Sequence, residues 1–294
     1  MTAIGFIGLG KMGAPMAGRL RAAGHDLIVL DASAEAMASF LAANPATAAR
    51  TPRELAERGD VVVTMLPTSA IVAGVLQGPD GALTGLRPGA LVIEMSSGVP
   101  SATQALAEEV WGAGGVLVDA PVSGGVARAI TGELAIMVGG DADAVERARP
   151  ILAAMGTSIL PTGAVGTAHA MKALNNLVSA AGLLISVEAL LIGKRFGLDP
   201  EVMVDVLNAS TGMNNSTQKK LKPFVLSRRF DSGFGLALMV KDLSIALGIA
   251  EGGAVAAPLS ALTRELWAAA LAMDVGADHT DIARFSERLA GLEL

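Results

Sequence analysis

The chain has 294 residues, of which 52% are hydrophobic and 17% charged, with a net charge of −6. This suits about two well-filled domains rather than a disordered chain, and the acidic balance disfavours nucleic acid, which needs a basic surface. With no cysteine there can be no disulfide, thiolate catalysis or Cys-ligated metal centre. His25, His169 and His279 lie far apart in sequence without metal-ligand spacing, so no metal is expected.

The first element is a short apolar run, Ile4-Gly5-Phe6-Ile7, which predicts a strand. A strand starting near residue 3 leaves no room for a targeting peptide, and the expected location is the cytoplasm. Gly8-Leu9-Gly10-Lys11-Met12-Gly13 follows at once, and residues 14–20 then have helical apolar spacing. Strand, GxGxxG and helix in that order form a dinucleotide-binding turn. The glycines allow a sharp turn and close approach to a pyrophosphate, and the helix N-terminus offers free N–H groups and a positive dipole end. A second strand, Asp26-Leu27-Ile28-Val29-Leu30-Asp31, ends in an acid 18 residues after Gly13. An acid there can hydrogen-bond adenosine ribose hydroxyls and favours NAD over NADP. No arginine stands between Leu30 and Ala49 to neutralise a 2′-phosphate.

Further strands are expected at 61–66, 90–95, 115–119 and 134–138, each a continuous apolar run of the buried parallel type. Helical segments separate them. Alternating strand and helix predicts a Rossmann-type α/β fold, a doubly wound parallel sheet with helices on both faces. Ligands in such sheets bind beyond the carboxyl ends of the strands, where the sequence places Thr68, Ser96, Ser97 and Ser123.

After Pro161-Thr162-Gly163 the strand signal stops. Residues 166–195 contain no proline and read as one helix of roughly 28 residues, about 42 Å long. Its most apolar part is interrupted by Ser179, Ser186 and Glu188 and is short for a membrane span, so a buried helix is expected and no membrane partner. Residues 201–209, 236–252, 258–273 and 278–290 are also helical in spacing. The expected division is a dinucleotide-binding domain over 1–162 and an all-α domain over 163–294.

The start of the long helix carries His169, Lys172 and Asn176, with Asn175 beside them. Lys172 and Asn176 are four apart and share a face. A lysine among small and apolar neighbours is costly to bury without a partner or a task. Protonated, it can donate to a developing alkoxide; neutral, it can take a hydroxyl proton. A lysine whose amine reaches the surface along a packed helix fits the spacing equally well.

Four ordered segments resemble the β-hydroxyacid dehydrogenase family: the turn from Gly8 to Ala17, Asp119-Ala120-Pro121-Val122-Ser123-Gly124-Gly125, Gly163 to Asn176, and Lys241-Asp242-Leu243. The resemblance implies that Gly8, Leu9, Gly10, Lys11, Met12, Gly13 and Asp31 bind NAD. It places Met65, Leu66 and Pro67 on the adenine side and Ser97 near the nicotinamide. Ser123, Gly124 and Gly125 would hold a substrate carboxylate. Lys172 would be the general acid/base, Asn176 would orient substrate and lysine, and Lys241 would reach both cofactor and substrate. A plain turn at Ser123–Gly125 remains open, and Asp119 reads better as a structural acid than as a base. His169 and Ser97 stand where the family commonly has glutamine and threonine, and Ala168 where it has glycine. Arg128 could meet a second anionic group but reads more simply as exposed. Asn214 and Asn215 hint at a polar distal end on the substrate, and Lys219, Lys220 and Lys222 read as a solvated helix face.

The expected activity is interconversion of a small β-hydroxy acid and its semialdehyde, with 3-hydroxyisobutyrate as the first substrate and tartronate or succinic semialdehyde next. The rival from another class is a non-catalytic dinucleotide-binding sensor, which would not need Lys172. An imine reductase on the same fold would typically lack that lysine too. The length and apolarity of the 166–195 helix, where Leu177, Leu184, Val187 and Leu191 need partners beyond the first half, predict a homodimer or homotetramer.

Overall fold

A computed structural model describes residues 2–294. The chain divides into two compact units, Met1–Lys172 and Ala173–Leu294.

The first unit is built on a nine-stranded sheet. Its strands are β1 (Ala3–Ile7), β2 (Asp26–Leu30), β3 (Thr47–Ala48), β4 (Val61–Thr64), β5 (Leu91–Glu94), β6 (Val116–Asp119), β7 (Val122–Ser123), β8 (Leu134–Gly139) and β9 (Gly156–Gly163). The order is β3-β2-β1-β4-β5-β6-β8-β7, with β9 also paired to β8. From β3 through β6 every pair is parallel. Helices α1 (Gly13–Ala22), α2 (Ala34–Ala43), α3 (Pro52–Arg58), α4 (Ser69–Leu76), α5 (Pro100–Gly112), α6 (Gly125–Thr131) and α7 (Ala142–Ala153) make the connections. Successive strand residues face opposite ways, and both faces are buried. Val61, Val63, Leu91 and Ile93 enter one apolar cluster, while Val62, Val92 and Leu117 enter the other. That is why these strands read as unbroken apolar runs.

The parallel order ends at β8, which runs antiparallel to β6 and β7. The strands β7 and β9 are not in the sequence-based reading. β7 has only two residues, and β9 is mostly exposed and contains Pro161. Neither presents a buried apolar run, and nor does β3, two exposed residues also absent from that reading.

The long helix, α8 (Thr167–Phe196), has 30 residues, close to the expected span. The second unit adds α9 (Pro200–Asn208), α10 (Asn215–Lys219), α11 (Leu236–Gly252), α12 (Pro258–Ala272) and α13 (Ile282–Ala290), with a π-helical turn at Leu221–Leu226. Its core takes Ala180, Leu183, Leu184, Val187, Leu190 and Leu191 from α8, at helical spacing, and packs them with Val204, Leu243 and the fully buried Trp267. Leu184, Val187 and Leu191 thus find partners within the second unit. By length and composition α8 could cross a membrane, but half of its most apolar window is buried.

Two features depart from the sequence reading. Lys220 is half-buried and donates to Ser179 Oγ at 3.0 Å. Lys222 pairs with Asp205 at 2.7 Å and Glu201 at 3.2 Å. Lys220 sits at the junction between α10 and the π-helical turn and Lys222 inside that turn, so the lysines do not lie along one regular α-helical face. His279 packs between Phe234 and Trp267. Burial first and the Lys220 charge second lower its pKa to about 4, against the pull of Asp278. It is therefore neutral at pH 7.

Candidate active site

The glycine turn joins β1 to α1. Gly8 has φ +103°, and a Cβ there would stand 2.3 Å from the Met65 carbonyl oxygen. A Cβ at Gly13 would stand 1.9 Å from the Gly8 oxygen. These two glycines are required by the protein's own packing. At Gly10 an added Cβ would meet nothing within 4 Å, and the residue is exposed. Lys11 beside it is exposed, Met12 is half-buried, and Met12 gives α1 no side-chain cap. In the first turn of α1 the Ala14 N–H is bonded to the Gly10 carbonyl at 3.0 Å and Pro15 has none, which leaves the Gly13 N–H for an anion. A cradle whose middle glycine has no internal reason to lack a side chain fits a pyrophosphate lying against the backbone.

Asp31 closes one side of this turn. Its Oδ2 accepts the Leu9 N–H at 2.5 Å and its Oδ1 the Ser33 N–H at 2.7 Å. Both bonds leave lone pairs for ribose hydroxyls. Met65 and Leu66 form the other side, half-buried, with Pro67 exposed after them. The Leu66 N–H donates to Ser96 Oγ at 2.8 Å, so this loop is tied to the end of β5. The structure therefore brings together the glycine turn, Asp31 and the Met65–Leu66 loop.

A buried ionic cluster lies at the carboxyl ends of β5 and β6. Glu94 Oε1 accepts the Ser96 N–H at 2.9 Å and the Thr64 hydroxyl at 3.3 Å. His169 Nε2 stands 2.8 Å from Glu94 Oε2, and His169 Nδ1 2.8 Å from Thr103 Oγ1. Asp119 accepts the backbone N–H of Gly166 at 2.8 Å and of His169 at 2.9 Å. Its role is structural, as expected: it caps the start of α8. Burial works against charge on His169, but Glu94 first and Asp119 after it raise its pKa. Glu94 is held below the carboxylate range despite burial, through the His169 charge and the bonds from His169 and Ser96. Burial pushes Asp119 up. Sequence reading missed Glu94 altogether and gave His169 no role, because nothing in the spacing connects residues 75 positions apart.

Ser123 is half-buried at the end of β7, and Gly124 and Gly125 are exposed with φ +133° and +69°. Such backbone exposes N–H groups, and α6 has no side-chain cap at Gly124. Arg128 is exposed, and its stem folds over Gly124, where a Cβ would stand 2.6 Å from Arg128 Cδ. Ser97 is half-buried in the loop after β5.

Lys172 is only 9% exposed, which disfavours the reading in which its amine reaches the surface. In the second unit Asn176 Nδ2 donates to Asp242 Oδ2 at 2.5 Å, and Lys241 Nζ stands 3.3 Å from Asp242 Oδ1. Asp242 therefore joins two residues expected at the site. Asn214 does not match the expected polar lining. Its Oδ1 caps α10 through the Ser216 and Thr217 N–H groups, and its Nδ2 donates to Ser186 Oγ. Those bonds occupy its amide, whereas Asn215 is exposed.

Residues 3–165 match the family model described as the NAD-binding domain of 6-phosphogluconate dehydrogenase. Residues 166–286 match that described as the NAD-binding domain of NADP-dependent 3-hydroxyisobutyrate dehydrogenase. The chain belongs to the β-hydroxyacid dehydrogenase family. It is 35% identical to the 2-(hydroxymethyl)glutarate dehydrogenase of Eubacterium barkeri, over 99% of this chain and 97% of that one. It is 38% identical to the NAD-dependent L-serine dehydrogenase of Pseudomonas aeruginosa, over 91% of each. Among solved structures, 3-hydroxyisobutyrate dehydrogenase of Mycobacterium tuberculosis with L-serine superposes with a TM-score of 0.89 at 34% identity, covering 97% and 98% of the two chains. This β-hydroxyacid dehydrogenase is accordingly an NAD(P)-dependent oxidoreductase with a Rossmann-type α/β unit followed by a helical region.

The glycine geometry separates two kinds of substitution. Gly10→Ala should leave the melting temperature within a few degrees of wild type and weaken dinucleotide binding by about tenfold or more, about 1.4 kcal/mol. Gly13→Ala, with its Cβ against the Gly8 oxygen, should lower stability itself by on the order of 2 kcal/mol. Calorimetric titration and thermal melts check the pair. Unweakened binding in Gly10→Ala would overturn the cradle assignment.

Proposed function

We propose that the enzyme interconverts a small β-hydroxy acid and its semialdehyde, with NAD preferred. Residues 1–162 hold the dinucleotide, and 163–294 serve substrate selection and assembly. L-serine, 3-hydroxyisobutyrate and 2-(hydroxymethyl)glutarate, which name the relatives above, all carry a hydroxymethyl group on the carbon next to a carboxylate. The substrate class inferred is therefore a 2-substituted 3-hydroxypropionate. 3-Hydroxyisobutyrate is the first candidate, and tartronate or succinic semialdehyde reduction is the alternative within the family.

The observation that carries this reading is the burial of Lys172 at the start of α8. A buried amine beside an alcohol can take the hydroxyl proton during oxidation and return it to the developing alkoxide during reduction. A bound nicotinamide supplies the hydride acceptor or donor. Ser123, Gly124 and Gly125 hold the substrate carboxylate through hydroxyl and N–H groups. Asn176, fixed by Asp242, orients substrate and lysine, and Lys241 reaches substrate and cofactor. Gly8 to Gly13 hold the pyrophosphate, Asp31 the ribose, Met65, Leu66 and Pro67 the adenine side, and Ser97 lies near the nicotinamide. A non-catalytic sensor would have no need of a lysine at this position.

The enzyme acts in the cytoplasm as a homodimer or homotetramer. Val178, Ile185 and Ile192 recur every seven residues on α8 and are 73%, 60% and 72% exposed. An apolar stripe of this kind, at one-face spacing, fits a helix of a second copy.

Three outcomes are expected. The specificity constant should favour NAD over NADP by at least about tenfold, ~1.4 kcal/mol, because the Asp31 carboxylate repels a 2′-phosphate. Equal or better activity with NADP would reverse the assignment. Lys172→Ala should keep NAD binding nearly intact and lose about 100-fold or more in turnover, and Lys172→Arg should also fail because arginine stays protonated. Near-normal turnover in Lys172→Ala would place the chemistry elsewhere. Light scattering at micromolar concentration should give a multiple of 29.6 kDa, and an active monomer would rule out assembly through the α8 stripe.

A further inference from the structure

None of the roles proposed above uses His169, yet four segments converge on it. Glu94 comes from the end of β5 and Thr103 from α5. Gly98 lies against the ring, where an added Cβ would stand 2.9 Å from both Cε1 and Nδ1. Asp119, at the end of β6, holds the backbone N–H of His169 and lies 3.9 Å from Nδ1. Lys172 follows three residues later, about one helical turn.

The charges around the ring favour its protonated state. Glu94 Oε2 stands 2.8 Å from Nε2 and Asp119 Oδ2 3.9 Å from Nδ1, so two carboxylates face the ring. Thr103 Oγ1 stands 3.1 Å from the Val99 carbonyl oxygen and 2.8 Å from Nδ1, and with its one proton on Val99 it accepts from Nδ1.

We propose that His169 is a positioning residue for the dehydrogenase reaction: as an imidazolium it clamps the 96–98 loop to the first turn of α8 and so sets Ser97 and Lys172 in place. This rests on the reading of Lys172 as proton carrier and of Ser97 as the nicotinamide's neighbour. Loss of the ring charge would leave the Glu94 carboxylate buried without a counter-charge, which is strongly unfavourable. The titratable groups facing the ring are Glu94 from β5 and Asp119 from β6; α5 contributes Thr103 and the loop its backbone. A cavity of about 200 Å³ lined by Ser69, Gln77, Glu94, Thr103 and Glu109 borders the cluster. A histidine whose pKa is raised on folding stabilises fully below its unfolded value, about 6.5, and that stabilisation fades as pH rises through the folded value. Melting temperature and kcat should therefore share an alkaline limb.

The test uses the full-length enzyme and three variants. The chain has three histidines, so the ring-nitrogen NMR signal missing from His169→Gln belongs to His169. At about pH 7 it should be that of a doubly protonated ring, and a neutral tautomer would overturn the proposal. His169→Gln, neutral and similar in reach, should lose about tenfold in kcat while KM for NAD stays within about threefold, and should lack the shared alkaline limb. An unchanged kcat with the limb retained would overturn the clamp. Should that variant not fold, Glu94→Gln replaces it: the His169 signal should turn neutral and kcat fall similarly, and both unchanged would overturn the proposal. Lys172→Ala separates the two readings. Retained turnover there removes the lysine's role. Loss of turnover there, with His169→Gln fully active, removes the clamp alone.

Discussion

The start of the long helix depends on one buried carboxylate. Asp119 ends β6 and receives the N–H groups of Gly166 and His169. A helix N-terminus presents unsatisfied N–H donors and the positive end of a dipole. Here they are satisfied from within the protein, by a strand-end acid 47 residues upstream of Gly166. That fixes the start of α8, and Lys172, about one turn beyond His169, inherits its placement from this cap.

The contrast with α1 is informative. There the N-terminus has no side-chain cap, the nearby acid binds Leu9 N–H and not the helix end, and Gly10 leaves the approach open. One helix start is closed by an internal carboxylate and the other is left for an external anion. The two ends differ in what surrounds them: an internal carboxylate at α8, an open glycine turn at α1.

How much of this was legible in the sequence follows from the range of each interaction. The glycine turn, Asp31, the apolar strands and α8 are local patterns, and periodicity and spacing reveal them. Lys172 stood out because it is a charge among small and apolar neighbours. Glu94 did not, because a single acid closing an apolar strand looks the same whether it meets solvent or a histidine on a distant helix. The antiparallel edge was hidden for a related reason: β7 and β9 lack the buried run that marks a central strand. Asn214 misled in the opposite direction, since its cap and its bond to Ser186 cannot be told from a free amide by sequence alone.

The two buried histidines complete the electrostatic logic. His279 is surrounded by Phe234 and Trp267, and the Lys220 charge adds to burial, so it is kept neutral. His169 is at least as deeply buried, yet Glu94 and Asp119 outweigh the desolvation and raise its pKa. Burial wins at His279 although Asp278 stands 3.5 Å away, and it loses at His169, where Glu94 and Asp119 both face the ring. In the helical core the neutral ring serves as an aromatic filler. Beside the strand ends the charged ring can hold a loop to a helix, because separating it from Glu94 would leave an unpaired charge in a low-dielectric interior. That penalty, more than the strength of any one hydrogen bond, keeps the 96–98 loop and the start of α8 in register.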